Sequence, residues 1–219
     1  MTWLRELAKE LLDFALPSVC GACGRDTSGA VLCPRCDEPP CDPLPRPPRP
    51  IAAWAAGVAY DGSAAEWIRR FKYPKPGFAG LDPSADGVVR AFALRAAAQL
   101  GRTPEAVIPV PLHPRRLRER GFNPAGELAR AVARERGARF APASVERTRD
   151  TPSQTGLTRR ERARNLAGAF RVICPPPARI WLVDDVLTTG ATLRSLARAL
   201  RRAGAREICA LAAGFRPLR

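Results

Sequence analysis

The clearest block of apolar positions in this 219-residue chain is Ile180-Trp181-Leu182-Val183, four in a row and β-branched at both ends. That is the pattern of a strand buried on both faces. Asp184 and Asp185 follow at its C-terminal edge, where open α/β sheets hold their ligands. Leu187 and the small residues Thr188-Thr189-Gly190-Ala191-Thr192 come next. Leu193, Leu196, Ala197 and Leu200 then recur at i, i+3, i+4 and i+7, the stripe of an amphipathic helix, with Gly204 as its C-cap.

Upstream, Ile51 to Tyr60 reads as a first strand or hairpin arm. Ser63 and Glu66 form a capping box that opens a short helix through Ile68 and Phe71. Lys72-Tyr73-Pro74-Lys75 is a loop, Asp86 to Leu100 a helix stopped by Gly101, and Val107 to Val110 a short strand ended by Pro111. Asn123 as N-cap with Pro124 behind it starts a helix to about Arg136. Met1 to Pro17 spaces Trp3, Leu4, Leu7, Leu11, Leu12 and Phe14 as a short amphipathic helix. From Pro39 to Pro50, seven of twelve residues are proline, an extended and stiff segment that marks a domain boundary. The expected organisation is an N-terminal helix and cysteine module over 1–42, a Pro-rich linker over 43–50 and an α/β domain over 51–219.

The order strand, acidic pair, small-residue loop, helix prescribes a chemistry. A loop without bulk points backbone N–H groups into one concavity at a helix N-terminus, where a phosphate meets unpaired donors and the positive end of the helix dipole. The hydroxyls of Thr188, Thr189 and Thr192 add donors of adjustable direction. Asp184 and Asp185 do not serve a phosphate; they suit a neighbouring diol, or a Mg²⁺ held partly through water. A phosphate beside a diol is a ribose 5-phosphate. The thirteen residues Ile180 to Thr192 resemble the signature by which type I phosphoribosyltransferases bind phosphoribosyl pyrophosphate (PRPP), and every position of it is filled. A buried strand that merely ends in two aspartates is the bland alternative.

Charge adds a partner class. The net charge is +15, and only Lys9, Lys72 and Lys75 are lysines, so the excess is arginine. Residues 1–50 hold six basic and seven acidic side chains, a net of −1, which leaves +16 on the remainder. The basic surface therefore belongs to the C-terminal domain and implies anionic partners. Fifteen arginines against six acids crowd the span from Pro111 to Arg171. Aromatic rings are few among them, Phe122, Phe140 and Phe170, so base stacking is not evident there. No apolar run approaches the ~20 residues of a membrane span. The N-terminus lacks the basic and uninterrupted apolar regions of a signal peptide, so a cytoplasmic protein is expected.

Cys20-Gly21-Ala22-Cys23 and Cys33-Pro34-Arg35-Cys36 are two cysteine knuckles spaced C-x2-C-x9-C-x2-C. Four thiolates at this spacing meet tetrahedrally around Zn²⁺, and in a reducing compartment metal is favoured over disulfides. A structural zinc would stabilise a module too small for a core of its own. Redox-active or unbound cysteine pairs are the alternative. Cys41 lies close by as a spare ligand, while Cys174 and Cys209 stand alone and read as structural thiols. The module has no basic excess, which weakens a nucleic-acid role for it.

The strings PLHPRRLRERGFN, SQTGLTRRERARNLAGAF and VDDVLTTGATL, behind a cysteine-knuckle N-terminus, resemble the ComF family of competence-associated proteins over nearly the whole chain. One departure is Pro124, where the family commonly has Gln. The resemblance implies an α/β, type I phosphoribosyltransferase-like domain, a parallel sheet flanked by helices, with a small N-terminal zinc-ribbon-like module, and a link to DNA uptake in natural transformation. It implies that Asp184 and Asp185 take the ribose hydroxyls and organise Mg²⁺, and that Leu187, Thr188, Thr189, Gly190, Ala191 and Thr192 cradle the 5-phosphate. Arg115, Arg116 and Arg120 stand where the diphosphate loop would be, and Lys72 and Tyr73 could reach the same pocket. Ser153 to Arg164 would be a mobile covering loop.

Three activities are compatible with these residues. One is a PRPP-binding protein of DNA uptake that contacts single-stranded DNA through the 111–171 arginines. Another is a metabolic phosphoribosyltransferase that transfers ribose 5-phosphate to a nitrogen nucleophile. The third is a non-catalytic scaffold that docks a helicase-like ATPase, since this chain holds no Walker A string. Thr188 occupies the position where the hypoxanthine–guanine salvage branch has an Asp, which disfavours that branch. His113, the sole histidine, is a conceivable acid/base group but suits a structural role next to Pro114.

Overall fold

The computed structural model describes residues 20, 23–27, 33–34, 44–74, 83–149 and 168–217. The expected N-terminal helix, Cys36, Cys41 and the Ser153–Arg164 segment lie outside them.

In chain order the elements are β1 (Ala53–Ala59), α1 (Gly62–Lys72), α2 (Pro83–Ala98), β2 (Ala106–Pro109), α3 (Pro114–Arg120), α4 (Pro124–Glu135) and β3 (Arg139–Phe140). They continue with β4 (Val145–Arg147), β5 (Phe170–Val172), β6 (Arg179–Leu187), α5 (Ala191–Arg202) and β7 (Glu207–Phe215). Five strands form one parallel sheet in the order β1-β7-β6-β2-β3. Parallel neighbours need a crossover, and helices supply it after β1, β2 and β6. Strands β4 and β5 pair antiparallel by themselves.

Successive side chains of a strand point to opposite faces, so each central strand feeds two cores. Trp181 and Val183 of β6 pack with Ile68, Phe71, Phe92 and Leu128 from α1, α2 and α4. Ile180 and Leu182 pack with Leu193, Leu196 and Leu200 of α5. Burying each of these aliphatic side chains contributes roughly 1.5–3 kcal/mol. Helix α2 lies so close on β1 that a Cβ at Gly57 would stand 2.9 Å from the Ala213 carbonyl and nearer still to that of Phe92. Only glycine admits that approach.

Several local expectations change in the fold. The Ser63–Glu66 capping box does not form: α1 begins at Gly62 behind Asp61, and Glu66 pairs with Arg69 one turn on. Asn123 precedes α4 but makes no side-chain cap; its Nδ2 donates to the Val110 carbonyl at 3.0 Å and ties α4 to the end of β2. Residues 114–120, read as loop, form α3, which buries no residue. A helix polar all round has no apolar period to reveal it. His113 caps it, its Nδ1 accepting from the Arg115 N–H at 3.3 Å. The apolar pattern predicts neither strand of the β4–β5 pair, whose partners are far apart along the chain. Cys209 is buried, but Cys174 is exposed and does not serve the core.

Candidate functional site

The chain moves from β2 outward to β3 and then returns to β6 on the other side of β2. The crevice between the C-terminal ends of β2 and β6 is therefore the switch point of the sheet, where open α/β folds bind ligands. Pro109 opposite Val183 is the last β2–β6 pair, whereas β7 accompanies β6 as far as Leu187. So β6 does not end at Val183. It carries Asp184 and Asp185 out along a margin that β2 has already left.

Both aspartates are half-buried. The Asp185 N–H donates to Asp184 Oδ1 at 2.9 Å. Burial, and then the charge of Asp185, push the Asp184 carboxyl up to about 7, against the Asp185 N–H and the positive charges of Lys72 and Arg147. Lys72 Nζ lies 2.8 Å from Asp185 Oδ1, each side chain about one-fifth exposed (19% and 17%). Burial pulls the Lys72 ammonium down, but the charge and hydrogen bond of Asp185, with Asp184 behind, hold it above its usual value.

Below the acids, Leu187 is fixed by the Arg216 N–H donating to its carbonyl at 2.8 Å. Thr188, Thr189 and Thr192 are half-buried, and the Ala191 N–H donates to Thr189 Oγ1 at 3.2 Å. Gly190, at φ +68°, turns the chain into α5, whose first helical bond runs from the Arg194 N–H to the Gly190 carbonyl at 2.8 Å. The Trp54 ring closes the back of this turn: a Cβ at Gly190 would stand 2.9 Å from Trp54 Cη2 and 3.6 Å from Pro48 Cγ. The Trp54 indole N–H donates to the Pro45 carbonyl at 2.7 Å. Pro45 and Pro48 of the proline-rich segment thus sit with Trp54 behind the loop.

Of the residues singled out as anion contacts, Lys72 meets the acid pair and Tyr73 meets Arg120, whose guanidinium stacks over the ring at 4.6 Å. Tyr73 is otherwise 64% exposed. Phe71 and Phe122, each two positions from this pair in sequence, meet edge to face at 6.2 Å. The fold therefore adds the exposed ring of Tyr73 to the arginine cluster. Arg115 instead pairs along α3 with Glu119 at 2.9 Å, both well exposed, and Arg116 is half-buried. Two residues went unnoticed in the sequence. Trp54 has no local signal of a site, and Arg147, only 8% exposed and acting on Asp184, sits at the end of β4.

In the cysteine module the sulfurs of Cys20, Cys23 and Cys33 all lie within 4.8 Å of one another, Cys23 and Cys33 at 3.6 Å. A tetrahedral zinc with Zn–S of ~2.3 Å separates its sulfurs by ~3.8 Å, so these three fit such a site. The fourth expected ligand, Cys36, is outside the described residues. No helix among the described residues is long and apolar enough to cross a membrane.

No family model matches the chain. It is similar to the DNA utilization protein YhgH of Escherichia coli O6:H1 (strain CFT073), with 31% identity over 216 residues, 95% of this chain and 93% of that one. Competence protein F of Haemophilus influenzae is 39% identical over 111 residues, 49% of this chain and 48% of its own. A solved structure described as the allosteric regulatory enzyme of purine biosynthesis superposes with a TM-score of 0.44 at 16% identity, over 73% of this chain and 31% of that one. With one relative that matches almost end to end and a second over about half its length, and with an acid pair, turned loop and helix at the switch point of a parallel sheet, the chain belongs to the ComF family and has its phosphoribosyltransferase-like fold.

Proposed function

We propose that this protein binds PRPP, or another ribose 5-phosphate, together with Mg²⁺ at the β6–α5 junction, and that it acts in the cytoplasm in DNA uptake. The observation that carries the ligand is the pair Asp184–Asp185 at the switch-point edge, followed by a Thr/Gly turn at the start of α5. In this reading the ribose hydroxyls donate to the two carboxylates. The 5-phosphate accepts from backbone N–H groups and threonine hydroxyls of Leu187 to Thr192. Arg116 and Arg120, at the end of the crevice that β2 leaves, take the diphosphate, for which a planar guanidinium is suited. Mg²⁺ held by Asp184, Asp185 and the ligand would offset charge on a departing pyrophosphate. If a transfer takes place, a nitrogen nucleophile displaces that pyrophosphate at C1 of the ribose, and the chain contributes position and charge. A structural zinc on Cys20, Cys23, Cys33 and Cys36 completes the cofactor set.

The names of the relatives, a DNA utilization protein and a competence protein, support the cellular role. A direct contact with single-stranded DNA is favoured by the Tyr73–Arg120 stack on an arginine-rich surface. Calorimetric titration of PRPP with Mg²⁺ tests the ligand reading. Wild type should bind, and Asp184→Ala/Asp185→Ala should lose binding. Equal binding by both proteins, or none by wild type, would refute it.

A further inference from the structure

We propose that Lys72 is the resident counter-cation of the acid pair, and that it lets this site hold a ribose phosphate without a divalent cation. The inference rests on the ribose-phosphate reading above. It starts from a conflict of charges. Two adjacent carboxylates repel each other and repel the phosphate that must bind a few ångströms away. A site of that composition alone would need a metal to admit its ligand.

The fold supplies a fixed positive charge instead. Lys72 Nζ is 2.8 Å from Asp185 Oδ1, and neither side chain is more than one-fifth exposed. Lysines are usually solvated and free to swing, but this one is held by both neighbours. Phe71 before it is fully buried in the core and meets Phe122, and Tyr73 after it is stacked by Arg120. The ammonium is thus delivered to Asp185 by the docked end of α1. The charge of the buried Arg147 guanidinium of β4 also reaches Asp184. The acid pair thus has a fixed ammonium bonded to it and a second positive charge behind it, with no metal included. An ammonium has three donors, so Lys72 can bond Asp185 and still offer a hydrogen to a ligand oxygen.

The probe that separates this role from metal binding is ribose 5-phosphate, which lacks the diphosphate that would itself bring in Mg²⁺. Its affinity is measured by calorimetry with the full chain, in buffer freed of divalent ions over chelating resin before the protein is added, and again with saturating Mg²⁺. Adding the protein afterwards leaves the cysteine site untouched. Wild type should bind within about threefold under the two conditions, and Lys72→Met should widen that gap at least ~tenfold, the direction set by unscreened repulsion in a half-buried site. Lys72→Arg, which keeps the charge, should restore the narrow gap. A wild-type gap as wide as that of Lys72→Met would overturn the proposal and leave the ribose-phosphate reading standing. No binding by wild type under either condition would overturn both.

Discussion

Gly190 carries two constraints at once. Its φ of +68° is the left-handed region, and two atoms of the Trp54 ring crowd the place where a Cβ would be. Gly190→Ala should therefore lower the unfolding free energy by about 1–3 kcal/mol, as a strained and crowded position does. Urea denaturation measures this, and ribose 5-phosphate binding should weaken in the same variant. Gly101→Ala is the control. Nothing lies within 4 Å of a Cβ there, so its effect should stay within about 0.5 kcal/mol.

Asp184 sets a pH dependence. Burial first, then Asp185, raise its carboxyl from 3.8 to about 7. The folded state therefore holds that proton more tightly than the unfolded chain does. The resulting stability is complete below the unfolded value and is lost as pH rises through about 7. Wild type should lose unfolding free energy between pH 4 and 7.5 relative to Asp184→Asn, which keeps the shape and cannot ionise. A difference between the two that stays flat over this window would contradict the assignment.

Among the elements, α1 does the most to assemble the site, because its last turn brings Phe71, Lys72 and Tyr73 to the ends of β2 and β6. Tyr73→Ala should weaken binding of a labelled oligo-dT by about tenfold, within the range for one stacked base, and leave the salt slope of binding unchanged. Fluorescence anisotropy at several salt concentrations reads both quantities. A steeper or shallower slope with unchanged low-salt affinity would mean that the ring is not a stacking platform.

What could be read in advance divides along the same line. Strand β6, the acids, the loop and α5 follow one another within a single stretch, so apolar period and turn chemistry reveal them without any knowledge of the sheet. The ion pair of Lys72 with Asp185 joins residues 113 positions apart, and only the docking of α1 creates it. Arg147 becomes part of the site because β4 pairs with β5 across a long excursion of the chain, and three-residue strands have no periodicity to read. Trp54 looks like an ordinary strand residue until Gly190 is seen beneath it. The capping box failed for a smaller reason: Glu66 had a closer partner in Arg69.

Across the whole molecule, charge and tether point to one end of the sheet. The excess of arginine falls on residues 51–219, and α3 displays part of it beside the switch point. Pro45 and Pro48 of the proline-rich segment lie with Trp54 behind the turn at Gly190.

If the turn after Asp184–Asp185 is a ribose-phosphate site, a crystal structure of the full chain with ribose 5-phosphate should show phosphate density within hydrogen-bonding reach of the backbone N–H groups of residues 188–192, with the ribose hydroxyls on the two aspartates. Phosphate bound only to the α3 arginines, with Lys72 still on Asp185 and the turn empty, would contradict it.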